Sequence, residues 1–337
     1  MKKSLIFLCL IVICLFFVNV DAQSKRPQKT KPQKIYEPLT IEQSPELQTI
    51  LNNAVGATIN SFMPKKINSD AIAATLIDLR DPESLRMANY RGNQQIYPAS
   101  VVKMFYMATL HEWLENGKVK LTPELERGLR DMIVDSSNEA TQYILDVLTD
   151  TASGGELLPK EFKIWSYKRN AVNRYFTNLG YSNINVNQKT FCEDAYGREQ
   201  QFRNYKGEGK NRNMLTTNAT ARLLTEIVLG KTVTPERSLQ MMNLMKRDFN
   251  ATTTDNDDQA HGFTGIALIN RKMTDTKLWS KAGWTSKTRH DAAYIETPGG
   301  LKFVIVVFTE NMANERDIIP GIAGRVLDEF QGQKPAR

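Results

Sequence analysis

Cysteine is scarce in this chain: three in 337 residues, at positions 9, 14 and 192. Two of them fall in the first 22 residues. There Lys2 and Lys3 precede an apolar stretch over 5–18, and Val20 and Ala22 put small residues three and one before a cut after Ala22. That is the pattern of a cleaved secretory leader. The stretch is shorter than the ~20 residues a membrane span needs, so no stable membrane insertion is expected after cleavage. Neither Cys9 nor Cys14 has a good lipoprotein site before it. The mature chain from Gln23 keeps Cys192 alone, which excludes an intrachain disulfide. A secreted or periplasmic protein without one is held together by its core, and about 300 residues suffice to build it. Cys192 has no evident histidine partner and is not read as a nucleophile.

Histidine is equally rare. His111, His261 and His290 are scattered without metal-ligand spacing, so no metal or other cofactor is expected. Asp255, Asp257 and Asp258 resemble part of a calcium loop but lack its glycine and terminal glutamate, and they read as a solvated loop. The formal charge of +7 falls to +6 when Lys2, Lys3 and Asp21 leave with the leader. Part of the excess sits in a Lys/Pro/Gln stretch over 25–34, within residues 23–43 read as a disordered linker. Elsewhere basic and acidic residues are mixed, and no nucleic-acid motif is present. No internal repeat is found.

What is present falls into strands at both ends and helices between. The folded domain is expected over 44–332, with a short tail at 333–337. Ser44 and Pro45 open a helix as cap and first residue. Residues 72–79 and 85–90 read as paired strands, and 100–115 as a buried helix stopped by Asn116 and Gly117. Helices dominate to about 180, and another spans 216–229. Segments 278–284, 291–296 and 301–309 read as an antiparallel meander, and a helix over 319–330 closes the chain. Met241, Met242 and Met245 read as core packing within a helix. The class is α+β. One antiparallel sheet takes strands from both ends, with the terminal helices on one face and a helical subdomain alongside. A cleft between the two is a natural site.

Three short patterns carry chemistry. Ser100 and Lys103, spaced S-x-x-K at a helix start, share one face of the first turn. A serine hydroxyl needs such a base to become a nucleophile; a capping serine and a solvated lysine would look the same. Ser136, Ser137 and Asn138 precede an apolar-periodic helix and could equally be its cap. Lys281, Ala282, Gly283 and Trp284 lie on a strand of the meander, where the glycine allows close approach of a backbone or ligand, or marks a bulge.

In this order the three resemble the S-x-x-K, S-x-N and K-T-G motifs of the serine β-lactamase and penicillin-binding-protein superfamily, closest to its class A-like branch. The resemblance covers roughly 44–332 in element order. It extends to the text around Asn138 and to Thr216 and Thr217 at a helix start. It implies that Ser100 is acylated, that Lys103 is its base or proton relay with a lowered pKa, and that Ser136 passes a proton to the leaving nitrogen. Asn138 would bond the substrate amide and Lys103. Lys281 would supply positive potential, keeping Lys103 neutral and attracting a substrate carboxylate. The backbone N–H groups of Ser100 and Trp284 would form an oxyanion hole beside Gly283. Arg289 is a candidate carboxylate clamp, or a surface arginine.

The chain departs from that pattern in three places. Ala282 replaces the hydroxyl residue that helps hold a carboxylate, with Thr285 or Ser286 as possible substitutes. The segment between Lys103 and Ser136 is short, implying a trimmed helical subdomain and a more open cleft. The omega-loop glutamate followed four residues on by asparagine has no match over 187–213. Glu193 is preferred there as the deacylating base over Glu199 and Glu208, because apolar neighbours can position it. The expected function is β-lactam hydrolysis by a monomeric enzyme. The alternatives are a D-Ala-D-Ala peptidase or related amidase or esterase on cell-wall peptide, and a degenerate peptidoglycan-binding member.

Overall fold

The computed structural model describes residues 36–63, 65, 67–191 and 194–332. The leader, most of the linker, the C-terminal tail, Cys192 and Glu193 lie outside the described residues.

Among the described residues the chain builds one seven-stranded sheet in the order β1-β3-β2-β7-β6-β5-β4. Strand β1 (Glu42–Gln43) runs parallel to β3 (Arg86–Tyr90), and every other pair is antiparallel. At the centre β2 (Ile72–Asp78) pairs with β7 (Lys302–Glu310), joining the two ends of the domain. Strands β5 (Lys277–Trp284) and β6 (Thr288–Glu296) complete the meander, and β4 (Lys246–Arg247) covers only the start of β5. Every residue of β2 is buried, because both faces of the sheet are covered.

One face packs on α1 (Pro45–Ser61), α10 (Gly265–Asn270) and α11 (Ile318–Gly332), through Leu51, Val55, Ile322 and Val326. The other meets the helical subdomain: α2 (Lys103–Glu115), α3 (Pro123–Ile133), α4 (Asn138–Thr149), α5 (Pro159–Arg169), α6 (Ala171–Asn178), α7 (Gly197–Asn204), α8 (Thr217–Val228) and α9 (Pro235–Met245). Local chemistry sets the starts. Ser44, Thr122, Ser137 and Thr216 each accept a backbone N–H three residues on, which satisfies an otherwise orphaned donor. Helix α2 is buried on nearly all sides, as a central helix must be when it is apolar all round. Met241 and Met245 are buried in the core as expected. No helix among the described residues is long and apolar enough to cross a membrane.

Two expectations move. The ordered chain starts before residue 44. The Tyr36 hydroxyl donates to Glu226 and accepts from Arg222, Leu39 and Ile41 pack on the core, and β1 precedes Ser44. These are single long-range contacts with no periodicity to betray them. Strand β6 starts at Thr288, not 291, because Arg289, His290 and Asp291 are polar yet buried.

Candidate active site

The turn carrying Ser100 is strained and clamped. Ala99 sits in the left-handed region at φ +47°, which costs a non-glycine residue free energy and persists only where surroundings impose it. Ser100 follows in a 3-10 turn, Ala99–Val102, that runs directly into α2. His290 of β6 holds the entry. Its Nδ1 accepts the Thr309 N–H at 3.1 Å, so Nε2 carries the proton and donates to the Tyr97 carbonyl at 2.8 Å. Burial pushes the His290 pKa down to about 4, so the ring is neutral at pH 7. From β5, Gly283 closes on the same turn. A Cβ there would stand 2.7 Å from Ser100 N and 2.9 Å from both Pro98 O and Val101 N. The glycine is a close-approach residue, not a bulge.

Two buried amines converge across from this turn. Lys103 Nζ donates to the Ser136 carbonyl at 2.5 Å and to Asn138 Oδ1 at 2.9 Å, and lies 3.3 Å from Ser136 Oγ. No hydrogen bond joins it to Ser100 among the described residues. Lys281 Nζ reaches the same Ser136 Oγ at 2.9 Å, Gln259 Oε1 at 2.7 Å and the Ala282 carbonyl at 2.8 Å. Ser136 is itself left-handed, at φ +56°, which turns its carbonyl and hydroxyl toward the amines. Helix capping falls to Ser137, whose Oγ accepts the Ala140 N–H at 3.0 Å, so neither Ser136 nor Asn138 is the cap. Burial holds the Lys281 pKa well below the ordinary lysine range, reinforced by Lys103 and Arg247 and opposed by Asp291. Arg247 stands behind, its Nη2 on the carbonyls of Ile133 and Ser280, and burial brings its pKa down to about 10.

The outer edge of β5 is open beyond β4. Ala282 sends its N–H to Gln259 Oε1 at 3.2 Å and its carbonyl to Lys281 Nζ, both off that edge. Backbone groups of a strand alternate with a period of two, so the N–H and C=O of Trp284 point the same way, away from β6. Ser100 N lies against Gly283, and Trp284 N follows Gly283 in the chain. Two backbone donors therefore stand together beside the nucleophile candidate.

The structure thus sets Ser100 against Gly283, with Trp284 next in the chain, and ties Lys103, Ser136, Asn138 and Lys281 into one hydrogen-bonded group. Arg289 does not join them. Its Nη2 is held by Asp257 Oδ1 at 2.9 Å and the Gly262 carbonyl at 2.6 Å, and its guanidinium lies 4.2 Å from the Phe263 ring centre. Asp257 also bonds Arg316, and Asp258 Oδ1 accepts the N–H groups of Ala260 and His261. The loop is exposed at Asp255 and Asn256, as the solvated reading expects, while Asp257 and Asp258 are partly buried and bonded. Glu193 lies outside the described residues. Glu199 is buried, bound by both terminal nitrogens of Arg169 at 2.8 Å and by Ser153, and so is occupied as an ion-pair partner. Glu208 is exposed in a turn. Gln259, Arg247 and His290 escaped the sequence reading. None sits in a motif, and each acts through a neighbour brought in by the fold.

A family model for the β-lactamase enzyme family matches residues 55–330. The chain belongs to the β-lactamase enzyme family. Solved structures agree with its fold. A β-lactamase from Sphaerobacter thermophilus is 17% identical with a TM-score of 0.59, the match covering 85% of this chain and 99% of that one. A PBP-A variant, seen as an acyl-enzyme complex with penicillin G, is 17% identical over 88% of this chain and 100% of its own, at a TM-score of 0.58. A β-lactamase from Burkholderia vietnamiensis is 13% identical over 84% and 97%, at 0.57. No curated protein matches the chain. Family membership supports a serine hydrolase acting on a small molecule.

Proposed function

We propose that this chain is an exported serine hydrolase that opens β-lactam amides through an acyl-enzyme on Ser100. One observation carries the reading: the Ser136 hydroxyl lies between two buried amines, 3.3 Å from Lys103 Nζ and 2.9 Å from Lys281 Nζ. A hydroxyl so placed relays protons and has little structural reason to be there.

The steps follow. Ser100 Oγ attacks the lactam carbonyl carbon and its proton passes to Lys103, through a hydrogen bond that forms once substrate is bound. The oxyanion accepts the N–H groups of Ser100 and Trp284. The C–N bond breaks, and the nitrogen takes a proton through Ser136 Oγ, resupplied by the lysine amines. Water then cleaves the ester, returning a proton to Ser100 Oγ and releasing an acid. Glu193 is the proposed base for that water, since Glu199 is committed to Arg169. Export rests on the leader at 1–22, and N-terminal sequencing of secreted material should begin at Gln23.

A second reading, a penicillin-binding-type amidase or esterase, is favoured by Ala282, which offers no hydroxyl to a substrate carboxylate. Intact-mass measurements over time with a β-lactam separate the two. Continuing nitrocefin turnover supports hydrolysis, and a stable stoichiometric adduct supports the second reading. If Ser100→Ala leaves every adduct and turnover signal unchanged, neither enzymatic reading holds and a binding role takes their place.

A further inference from the structure

Ser136 and Lys281 hang on one amide. Gln259 belongs to none of the motifs and lies in the loop ahead of α10. Its Oε1 accepts from Lys281 Nζ at 2.7 Å and from the Ala282 N–H at 3.2 Å. Its Nε2 donates to the Ile133 and Val134 carbonyls, both at 2.9 Å. An amide offers one acceptor oxygen and two N–H donors, so its whole capacity is used. Two donors face one end and two carbonyls the other, and only one orientation fits. A carboxylate would set an oxygen against the two carbonyls. Those carbonyls close the end of α3, where a helix leaves its last C=O groups without intrahelical partners. Ser136 follows Val134 by two residues. The same amide thus fixes Lys281 and the chain that leads into Ser136.

The hydrogens on Lys281 show the consequence. Gln259 Oε1 and the Ala282 carbonyl, at 2.8 Å, only accept, so each takes one N–H of Lys281 Nζ. The remaining position meets Ser136 Oγ at 2.9 Å. In an ammonium that position is the third N–H, and in a neutral amine it is the lone pair. In either state the proton shared with Ser136 is the one left to move. Without the Gln259 oxygen, the amine turns about its Cε–Nζ bond and that proton is no longer fixed on Ser136. Arg247 makes a parallel tie, with Nη2 on the Ser280 and Ile133 carbonyls. Loss of the amide therefore leaves β5 joined to the end of α3.

We propose that Gln259 is a positioning residue for acyl transfer: it aligns the proton shared by Lys281 and Ser136, and so fits the site to acyl donors whose departing nitrogen must be protonated. The inference rests on the Ser100 acyl-enzyme reading. In the step concerned, Ser100 Oγ is bonded to the carbonyl carbon and the C–N bond breaks. The nitrogen keeps the electron pair and takes the Ser136 proton. Ser136 regains a proton from a lysine amine, and the proton that Lys103 took from Ser100 balances the transfer.

The test compares two leaving nitrogens. That of benzylpenicillin departs as a basic amine and needs the proton. That of nitrocefin spreads its electron pair into a conjugated dinitrostyryl group and needs it far less. First-turnover acylation of Ser100 in the full mature chain is followed for both by rapid-quench intact mass. Gln259→Leu should lower the benzylpenicillin-to-nitrocefin rate ratio by about tenfold or more, a part of the roughly 10²–10⁴-fold that general acid–base catalysis supplies. Ser136→Ala should lower the ratio too, and in that background Gln259→Leu should change it no further. Gln259→Met gives the same readings should the leucine variant not fold. A ratio unchanged in Gln259→Leu makes the amide a brace only and overturns the inference. A further fall in the Ser136→Ala background also overturns it, since the effect then bypasses Ser136. If nitrocefin alone labels Ser100 in the wild type, no relay delivers a proton, and the inference fails while the acyl-enzyme reading stands. If neither compound labels Ser100, the acyl-enzyme reading itself fails, and the inference with it.

Discussion

Replacing Gly283 by alanine tests the closest approach in the cleft. A Cβ at this position would stand 2.7 Å from Ser100 N, whereas ordinary contact starts at 3.4 Å. The facing atoms are backbone, so the turn itself must retreat by about 0.7 Å. That displaces Ser100 N, one of the two proposed oxyanion donors, from its neighbour at Trp284. A misplacement near 1 Å costs about 10²-fold in rate, comparable to removing one oxyanion donor. Overpacking adds a stability loss of about 1–3 kcal/mol. Gly283→Ala should therefore acylate about 10²-fold more slowly with benzylpenicillin, followed by intact mass, and melt a few degrees lower. A variant that melts lower but acylates at the wild-type rate would refute the link between this contact and the oxyanion hole. A variant unchanged in both would show that the turn yields freely.

Three further outcomes are expected. Arg169→Met leaves the buried Glu199 carboxylate without its bidentate partner, and urea unfolding at pH 7 should show a loss of about 3–5 kcal/mol; a loss below 1 kcal/mol would mean that Lys189, 3.5 Å from Glu199, suffices. Gln259→Leu removes an acceptor from Lys281 and from the Ala282 N–H, so both stability, by about 1–3 kcal/mol, and the acylation rate should fall, and an unchanged acylation rate would dismiss Gln259 as a positioning residue. For His290, the folded pKa of about 4 lies below the ordinary 6.5. Between those values the unfolded chain takes up a proton that the folded chain refuses, so stability falls as pH falls from 6.5 to 4, by about 3 kcal/mol for this residue. His290→Gln should flatten that part of the urea-midpoint profile, and parallel profiles for the two proteins would contradict the assignment.

The ends of the domain were legible because their patterns are local. A serine or threonine cap with a following proline marks α1, and a threonine cap marks α8; alternation and turns mark β5 to β7. The spacing of Ser100 to Lys103 and of Ser136 to Asn138 is likewise local, and the order of the motifs supplied the rest. The start of the ordered chain was not legible, because Tyr36 is held by Glu226 and Arg222, nearly 190 residues away in sequence. Arg289 was read as a possible clamp from its nearness to Lys281 along the chain. Its strand position turns it instead to Asp257 and Gly262.

The sequence by itself pointed to the family, the α+β class and the residues proposed for acyl transfer, since those readings depend on residue type and short spacing. Only the tertiary structure decided what each group has left to offer. Lys281 is saturated by Gln259, Ser136 and Ala282, Glu199 is spent on Arg169, and Ala282 is buried while Trp284 stays exposed. The physical reason is that a buried polar group takes whatever partner the fold brings to it. Those partners come from segments far apart in the chain.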